Sequence, residues 1–432
     1  MAAITTIILL VLATSLTAAS SASSIRTHPT DIDSLKSLKS ALGGSTPIPG
    51  SCLASWNFSF DPCASASSDR FTCGLRCDTL LSSFARVTHL ALDPAGYSGF
   101  LSSASLNLPF LQTLSLSDNF LFGPLPASIS NLTRLQKLVL SRNSFSGELP
   151  DSISALTHLE ELCLDNNRFQ GRIFNNLMMR KLQRLKRLEL QGNLFSGHLP
   201  PAALASLPDL YFLDASDNEL VGKISPGTLP KSLVELSLRN NSFDSYVPGT
   251  FSELATLQVL DLSHNSLSGS ASRVFFAHPS LQQLSLSHNN LSSIETPSSI
   301  NQSSLVSVDM SHNRLQGPLP EFMAWLPALS SLSLEQNRLS GVIPSEYAKR
   351  AAAGAGGRTT PFGRLLLGGN YLFGLIPGPL TRLKPGRVNV SLVDNCLYVC
   401  PDSFFFCKGA TQKSMVDCNR FRFRHFNINM RN

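Results

Sequence analysis

Twelve asparagines at near-constant spacing constrain this chain more than any other feature. They stand at Asn119, Asn143, Asn167, Asn193, Asn218, Asn241, Asn265, Asn289, Asn313, Asn337, Asn370 and Asn395, and most steps are 23 to 26 residues. Leucines precede them at alternating positions, as in Leu114-Ser-Leu-Ser-Asp-Asn119 and Leu138-Val-Leu-Ser-Arg-Asn143. Internal similarity at a period of about 20–29 residues marks a stack of short turns rather than one globular core.

Alternating leucines give each turn one short strand with a buried face and an exposed face. A single turn cannot bury its leucines, so neighbouring turns must stack. The 432 residues exceed what one globular core ordinarily holds. A stack escapes that limit because its core grows in one dimension. Where the chain bends out of each strand its backbone groups are buried, and an asparagine amide both donates and accepts there.

The second half of many turns reads Gly-x-[Leu/Ile]-Pro. It stands as Gly123-Pro-Leu-Pro126, Gly147-Glu-Leu-Pro150, Gly197-His-Leu-Pro200, Gly317-Pro-Leu-Pro320, Gly341-Val-Ile-Pro344 and Gly374-Leu-Ile-Pro377. With the asparagine series, this resembles the plant-type extracellular leucine-rich-repeat family, which includes receptor-like proteins, receptor-kinase ectodomains and polygalacturonase-inhibiting proteins. The resemblance implies an α/β repeat solenoid, a right-handed superhelix with a concave parallel sheet, a second short strand per turn and disulfide-stapled caps. Gly171-Arg-Ile-Phe174 and Gly222-Lys-Ile-Ser225 lose the proline, and the turns after Asn241, Asn265 and Asn289 lose the motif. The second sheet is expected to falter there.

In chain order, residues 1–22 read as a secretory signal, with a short apolar run from Ile4 to Ala13 and small residues at Ala18 to Ala22. Residues 23–86 form an N-terminal cap, in which Ile32, Leu35, Leu38 and Leu42 have helical spacing. About thirteen turns fill 87–395, the first degenerate, with Ala95 at the asparagine position. A second cap covers 396–418 and a basic tail 419–432. Cys52, Cys63, Cys73 and Cys77 precede the repeats, and Cys396, Cys400, Cys407 and Cys418 follow them. Small caps are commonly stapled by disulfides, here two within each cap, although each set of four allows three pairings. Zinc at Cys73-x3-Cys77 or Cys396-x3-Cys400 is the rival reading, but no second ligand pair completes it.

No His-Glu-x-x-His, Gly-x-Ser-x-Gly or kinase signature occurs, so no enzyme or cofactor is expected. No apolar run after residue 22 is long enough to span a membrane. Sequons at Asn57, Asn131, Asn240, Asn290, Asn301 and Asn389 are expected surface glycosylation sites in an exported chain. Arg180, Lys181, Arg184, Lys186 and Arg187 read as a solvated helical face on the convex side, or as a site for an anionic partner. Ala351 to Gly357 reads as a flexible loop. The tail holds Arg420, Arg422, Arg424 and Arg431 and no acid, which favours contact with anionic wall polysaccharide over nucleic acid.

Residues between the leucines point out of the concave sheet, and equivalent residues of adjacent turns stand about 4.7–5 Å apart. This brings Glu161, Arg187, Glu189, Phe212, Asp214 and Glu235 onto one surface spanning four turns. Phe212 and Tyr211 are large aromatics among charges, the composition of a binding hot spot. The bland alternative folds either ring against the strand edge. Cys163, the odd cysteine, falls on an exposed strand position, as a free thiol, an intermolecular bridge or a small residue shielded by Glu161. His264, His288 and His312 form a column before their asparagines. They read as hydrogen-bonding surface residues or as a pH-sensitive patch in which the rings lower one another's pKa.

The resemblance then implies a secreted module in the extracellular space or cell wall. It would recognise a protein or peptide ligand in signalling or defence, with a membrane receptor kinase ectodomain as partner. The alternative is an inhibitor of a wall glycanase such as polygalacturonase. A third reading is a structural protein of the wall.

Overall fold

The computed structural model describes residues 26–42, 49–65, 74–79, 83–101, 104–173, 180–199, 204–225, 227, 229–247, 249–353 and 359–421. The expected signal, Cys73, most of the Ala351–Gly357 segment and the tail beyond Phe421 lie outside them.

The long sheet holds fourteen strands. Thirteen run parallel, from Arg86–Ala91 to Asn389–Ser391, one for each expected turn. The fourteenth, Leu75–Asp78, pairs antiparallel with Arg86–Ala91 from the N-terminal cap. Register is in step, with Leu114 opposite Leu138, Leu138 opposite Leu162 and Leu162 opposite Leu188. Each of these leucines is buried, so a one-residue slip in any strand would turn its leucine to solvent.

Second strands form three separate sheets of seven, two and four strands. The breaks fall after Ser242–Phe243 and after Asn290–Ile294, within the turns that lack Gly-x-[Leu/Ile]-Pro. The turns that lose only the proline keep their strands, Arg168–Arg172 and Glu219–Gly222. Loss of the proline alone therefore leaves the sheet unbroken, and both breaks border turns that lack the whole motif, although Ser268–Ala271 and Asn290–Ile294 of two such turns still pair with each other. Inside these strands Phe145, Phe169 and Phe195 stack with ring centroids 6.0 and 6.2 Å apart.

The asparagines join one turn to the turn before it. Asn143 accepts from the Leu121 amide at 3.0 Å and donates to the Leu116 carbonyl at 2.9 Å, both in the preceding turn. It also donates to the Leu140 and Ser141 carbonyls of its own turn. Asn289 repeats this pattern with Leu267, Leu262, Leu286 and Ser287. The bend requires the preceding residue to be left-handed, with φ between 50° and 68° from Asp118 through His264, His288 and His312 to Asp394. Asp, Asn and Gly tolerate that conformation best, and Gly192 and Gly369 take it in two turns.

Both open ends of the stack are covered. The helix Pro29–Leu42 lays Leu35, Leu38 and Leu42 on the first turn. It approaches so closely that a Cβ at Gly99 would lie 2.0 Å from the Ala41 carbonyl oxygen. Cys63 bonds to Cys77, Cys396 to Cys418 and Cys400 to Cys407. Cys52 is also disulfide-bonded. Cys396 and Cys400 belong to different bridges, which removes the zinc reading at that pair.

At the C-terminal end, Gln412 does for the last turn what an asparagine does elsewhere. It accepts from the Leu397 amide at 3.2 Å and donates to the Leu392 carbonyl at 3.1 Å. These are the positions that Asn395 serves in the preceding turn, at Leu372 and Leu367.

The concave face as candidate binding site

The strands Glu161–Cys163, Arg187–Glu189, Phe212–Asp214 and Glu235–Ser237 are neighbours in register. The expected residues of the four turns therefore meet on one surface. Glu161 is held by Lys137 at 2.5 Å, and Lys186 reaches Glu160 at 2.7 Å. Arg187 pairs with Glu189 and lies over the Phe212 ring, its guanidinium carbon 3.7 Å from the centroid. Phe212 is thus half-covered by a cation and is neither bare nor folded against the strand edge. Tyr211 beside it is 43% exposed.

The carboxylates of the next two turns have no such partner. No ion pair among the described residues includes Asp214 or Glu235. Burial pushes the Asp214 pKa up, against the Ser216 hydrogen bonds, which lower it. Burial and the nearby Asp214 charge push Glu235 up, against Arg187. This part of the face carries negative charge that the fold itself does not neutralise.

Asp214, Asp261 and Asp309 also have a local role. Each accepts the amide two residues on, from Ser216, Ser263 and Ser311, at 2.9 Å. An Asp at this position ties down the bend that follows its strand. These side chains stabilise the turn as well as facing the surface.

Of the alternatives for Cys163, the structure takes the shielded one. It is buried, with its thiol 3.7 Å from a Glu189 carboxylate oxygen. Burial, followed by the charges of Glu189 and Glu161, pushes its pKa up to about 12. The residue points out of the sheet as expected, but longer side chains of adjacent strands close over it.

The histidines stack. His264 and His288 have ring centroids 4.0 Å apart, and His288 and His312 4.1 Å, with interplanar angles of 14° and 10°. Partial burial lowers the His288 pKa, and the charges of His264 and His312 lower it further. Among the described residues no group of three His, Cys, Asp or Glu has the geometry of a metal site.

A model of the leucine rich repeat family matches residues 109–169, 231–291 and 279–339. Over 103 residues the chain is 34% identical to the leucine-rich repeat receptor-like serine/threonine-protein kinase SKM1 of Arabidopsis thaliana, covering 24% of this chain and 9% of that protein. The structure resembles the plant peptide hormone receptor RGFR1 in complex with RGF2, with a TM-score of 0.60 and 32% identity over 67% of this chain and 45% of that one. It also resembles the Arabidopsis receptor kinase HAESA in complex with the peptide hormone IDA and the co-receptor SERK1, with a TM-score of 0.54 and 30% identity over 63% of this chain and 48% of that one.

The chain carries leucine-rich repeats and resembles plant leucine-rich-repeat receptor ectodomains. It covers less than half the length of each of these three relatives. Among the described residues no helix is long and apolar enough to cross a membrane.

In this leucine-rich-repeat protein the basic run divides between two places. Lys186 and Arg187 belong to the concave face through Glu160 and Glu189. Arg180, Lys181 and Arg184 are exposed in turns, so the expected helical face does not form among the described residues. Of the sequons, Asn57, Asn131, Asn240, Asn301 and Asn389 are exposed and Asn290 is half-buried.

Two functional contributors escape the sequence pattern. Gln412 lies outside every repeat. Arg350 is buried and donates to the Thr360 and Ala324 carbonyls, each at 2.8 Å, and to that of Leu329. It ties the 33-residue step between Asn337 and Asn370, at Thr360, to the preceding turn, at Ala324 and Leu329. Its only signal is a basic residue on the apolar side of a short helix, Ser345–Ala352.

Proposed function

We propose that the chain recognises a peptide or protein through its concave face, centred on Arg187, Phe212, Asp214 and Glu235. The carrying observation is the juxtaposition of a cation-capped aromatic with two carboxylates that belong to no ion pair among the described residues. Such a surface favours a ligand segment that sets a basic side chain beside an apolar one. The apolar group displaces water from Phe212 and Tyr211, and the basic group pairs with Asp214 and Glu235. The peptide-hormone complexes of the structural relatives support the same reading.

The setting we propose is extracellular signalling or defence, as a secreted glycoprotein working beside a membrane receptor kinase. The disulfides agree with an oxidising compartment. Capture from a wall extract tests the reading, with Phe212→Ala and Glu235→Gln as variants and Arg184→Ala as control. We expect capture of a peptide or a receptor-kinase ectodomain, lost in the first two variants and kept in the third. Capture of a glycanase whose activity falls would replace this with the inhibitor reading. Binding lost in Arg184→Ala and kept in Phe212→Ala would move the site to the outer face.

A further inference from the structure

The positive charge of this protein is not evenly spread. Between Ser345 and Val388 the sequence holds Lys349, Arg350, Arg358, Arg364, Arg382, Lys384 and Arg387 against one acid, Glu346. That segment alone accounts for a net +6, equal to the +6 of the whole chain. The one acid is used locally, since Glu346 faces Lys349 at 3.4 Å. Arg350 is buried on carbonyls, and Arg364 stands on the long sheet.

With Arg358 outside the described residues, Arg382, Lys384 and Arg387 remain, on the convex side. All three are exposed. No ion pair among the described residues includes any of them. Arg382 and Arg387 line a cleft of about 460 Å³ between the helices Ser345–Ala352 and Gly378–Thr381. Ala352, Gly378, Pro379 and Leu383 also line it, and no acid lines it among the described residues. Arg387 also donates to the Ala353 carbonyl at 3.1 Å, which fixes one guanidinium against the rim.

We propose that this cleft binds an acidic saccharide, one that carries carboxylate or sulfate groups on its sugar rings. The inference goes beyond the peptide reading and concerns the opposite face. Planar guanidinium groups match carboxylate and sulfate oxygens with paired hydrogen bonds. The Pro379 and Leu383 walls add a surface for the C–H face of a ring. A bare inorganic anion would leave that surface unused. An extended acidic peptide is disfavoured because the walls are helical and offer no strand edge to pair with. The volume falls within the range of about 300–1,000 Å³ typical of small-ligand pockets.

The test measures binding of the full chain to four probes of matched length: a uronic-acid oligosaccharide, a sulfated oligosaccharide, a neutral glucan and polyglutamate. One or both acidic saccharides should bind, with affinity falling as salt rises, and the glucan should not. Arg382→Ala should weaken binding about tenfold, the scale of one lost charge-assisted pair. Arg364→Ala and the tail variant Arg422→Ala/Arg424→Ala should leave it unchanged. Arg382 is exposed, so melting of this variant should match that of the parent. The relative strength of the first two probes assigns carboxylate or sulfate. Equal binding of polyglutamate, no binding of either acidic saccharide, or indifference to Arg382→Ala would each overturn the proposal.

Discussion

Asp31 is fully buried and accepts from the Arg86 guanidinium at 2.7 and 3.2 Å. The same carboxylate accepts the Val87 amide at 2.9 Å. One side chain thus fixes the capping helix to the first strand of the long sheet. Removing one partner of such a pair leaves a buried charge uncompensated, at a cost of about 3–5 kcal/mol. Asp31→Ala should lose that much in denaturant unfolding. Asp31→Leu combined with Arg86→Met should recover much of it. A single-variant loss below about 1 kcal/mol would show that the cap is held by its leucines alone.

The asparagine series predicts a large effect from a small change. Asn289 makes four hydrogen bonds to the backbone, two of them to the preceding turn. Asn289→Ala should leave several of those groups buried and unpaired, each costing about 1–3 kcal/mol. Hydrogen exchange should quicken at the Leu267 amide in particular, because it loses its acceptor. Unchanged exchange there would argue that water replaces the side chain.

Leu213 and Phe212 are adjacent and should separate in their effects. Leu213 is buried, and Leu213→Ala should destabilise by about 2–5 kcal/mol. Phe212→Ala removes a cation–ring contact at the surface and should cost about 0.5–1 kcal/mol. Urea titration of both variants decides the matter. Comparable losses would mean that Phe212 is part of the core.

Cys163 should resist thiol reagents in the native protein and react once unfolded. The raised pKa also has a sign in pH. The folded thiol ionises at about 12 and an exposed thiol near its ordinary value of 9.0. Its contribution to stability is therefore full below pH 9 and declines as pH rises through that window. Cys163→Ser should flatten this decline. Labelling of the native protein at neutral pH would refute the shielding.

For His288 the sign is opposite. Its folded pKa lies below the ordinary value of 6.5, so its contribution is present above that value and is lost as pH falls through the folded pKa. Proton NMR of the imidazoles should show a midpoint below 6.5 for His288, and His264→Asn should raise it by removing one neighbouring charge. A midpoint at or above 6.5 would mean that the stack does not persist in solution.

The repeat geometry was legible because its cause is periodic. Leucine alternation and asparagine spacing recur in all turns but the degenerate first, so the parallel strands and the asparagine contacts follow from local pattern. The breaks in the second sheet were legible for the same reason. What escaped is aperiodic. For Cys163, which points outward by register, the sequence offered a shielded thiol among its alternatives, and what it did not give is the contact with Glu189. The Arg187–Phe212 contact depends on which of two nearby groups an arginine chooses, and it takes both. Arg350 looks like any helical base until the carbonyls it satisfies are seen. Column reading thus identified the surface but not the pairing on it.

Gln412 gives the repeat stack a direction. Each turn is left with an unpaired amide and carbonyl that only the following turn can close. The stack therefore has a growing end, as a filament has. A chain folding from its N-terminus always carries one unfinished turn. Repeats between Asn119 and Asn395 are interchangeable at this junction, because every addition consumes one open end and creates another. Gln412 closes the last one and opens none. Among the described residues it acts as the terminator of the asparagine series.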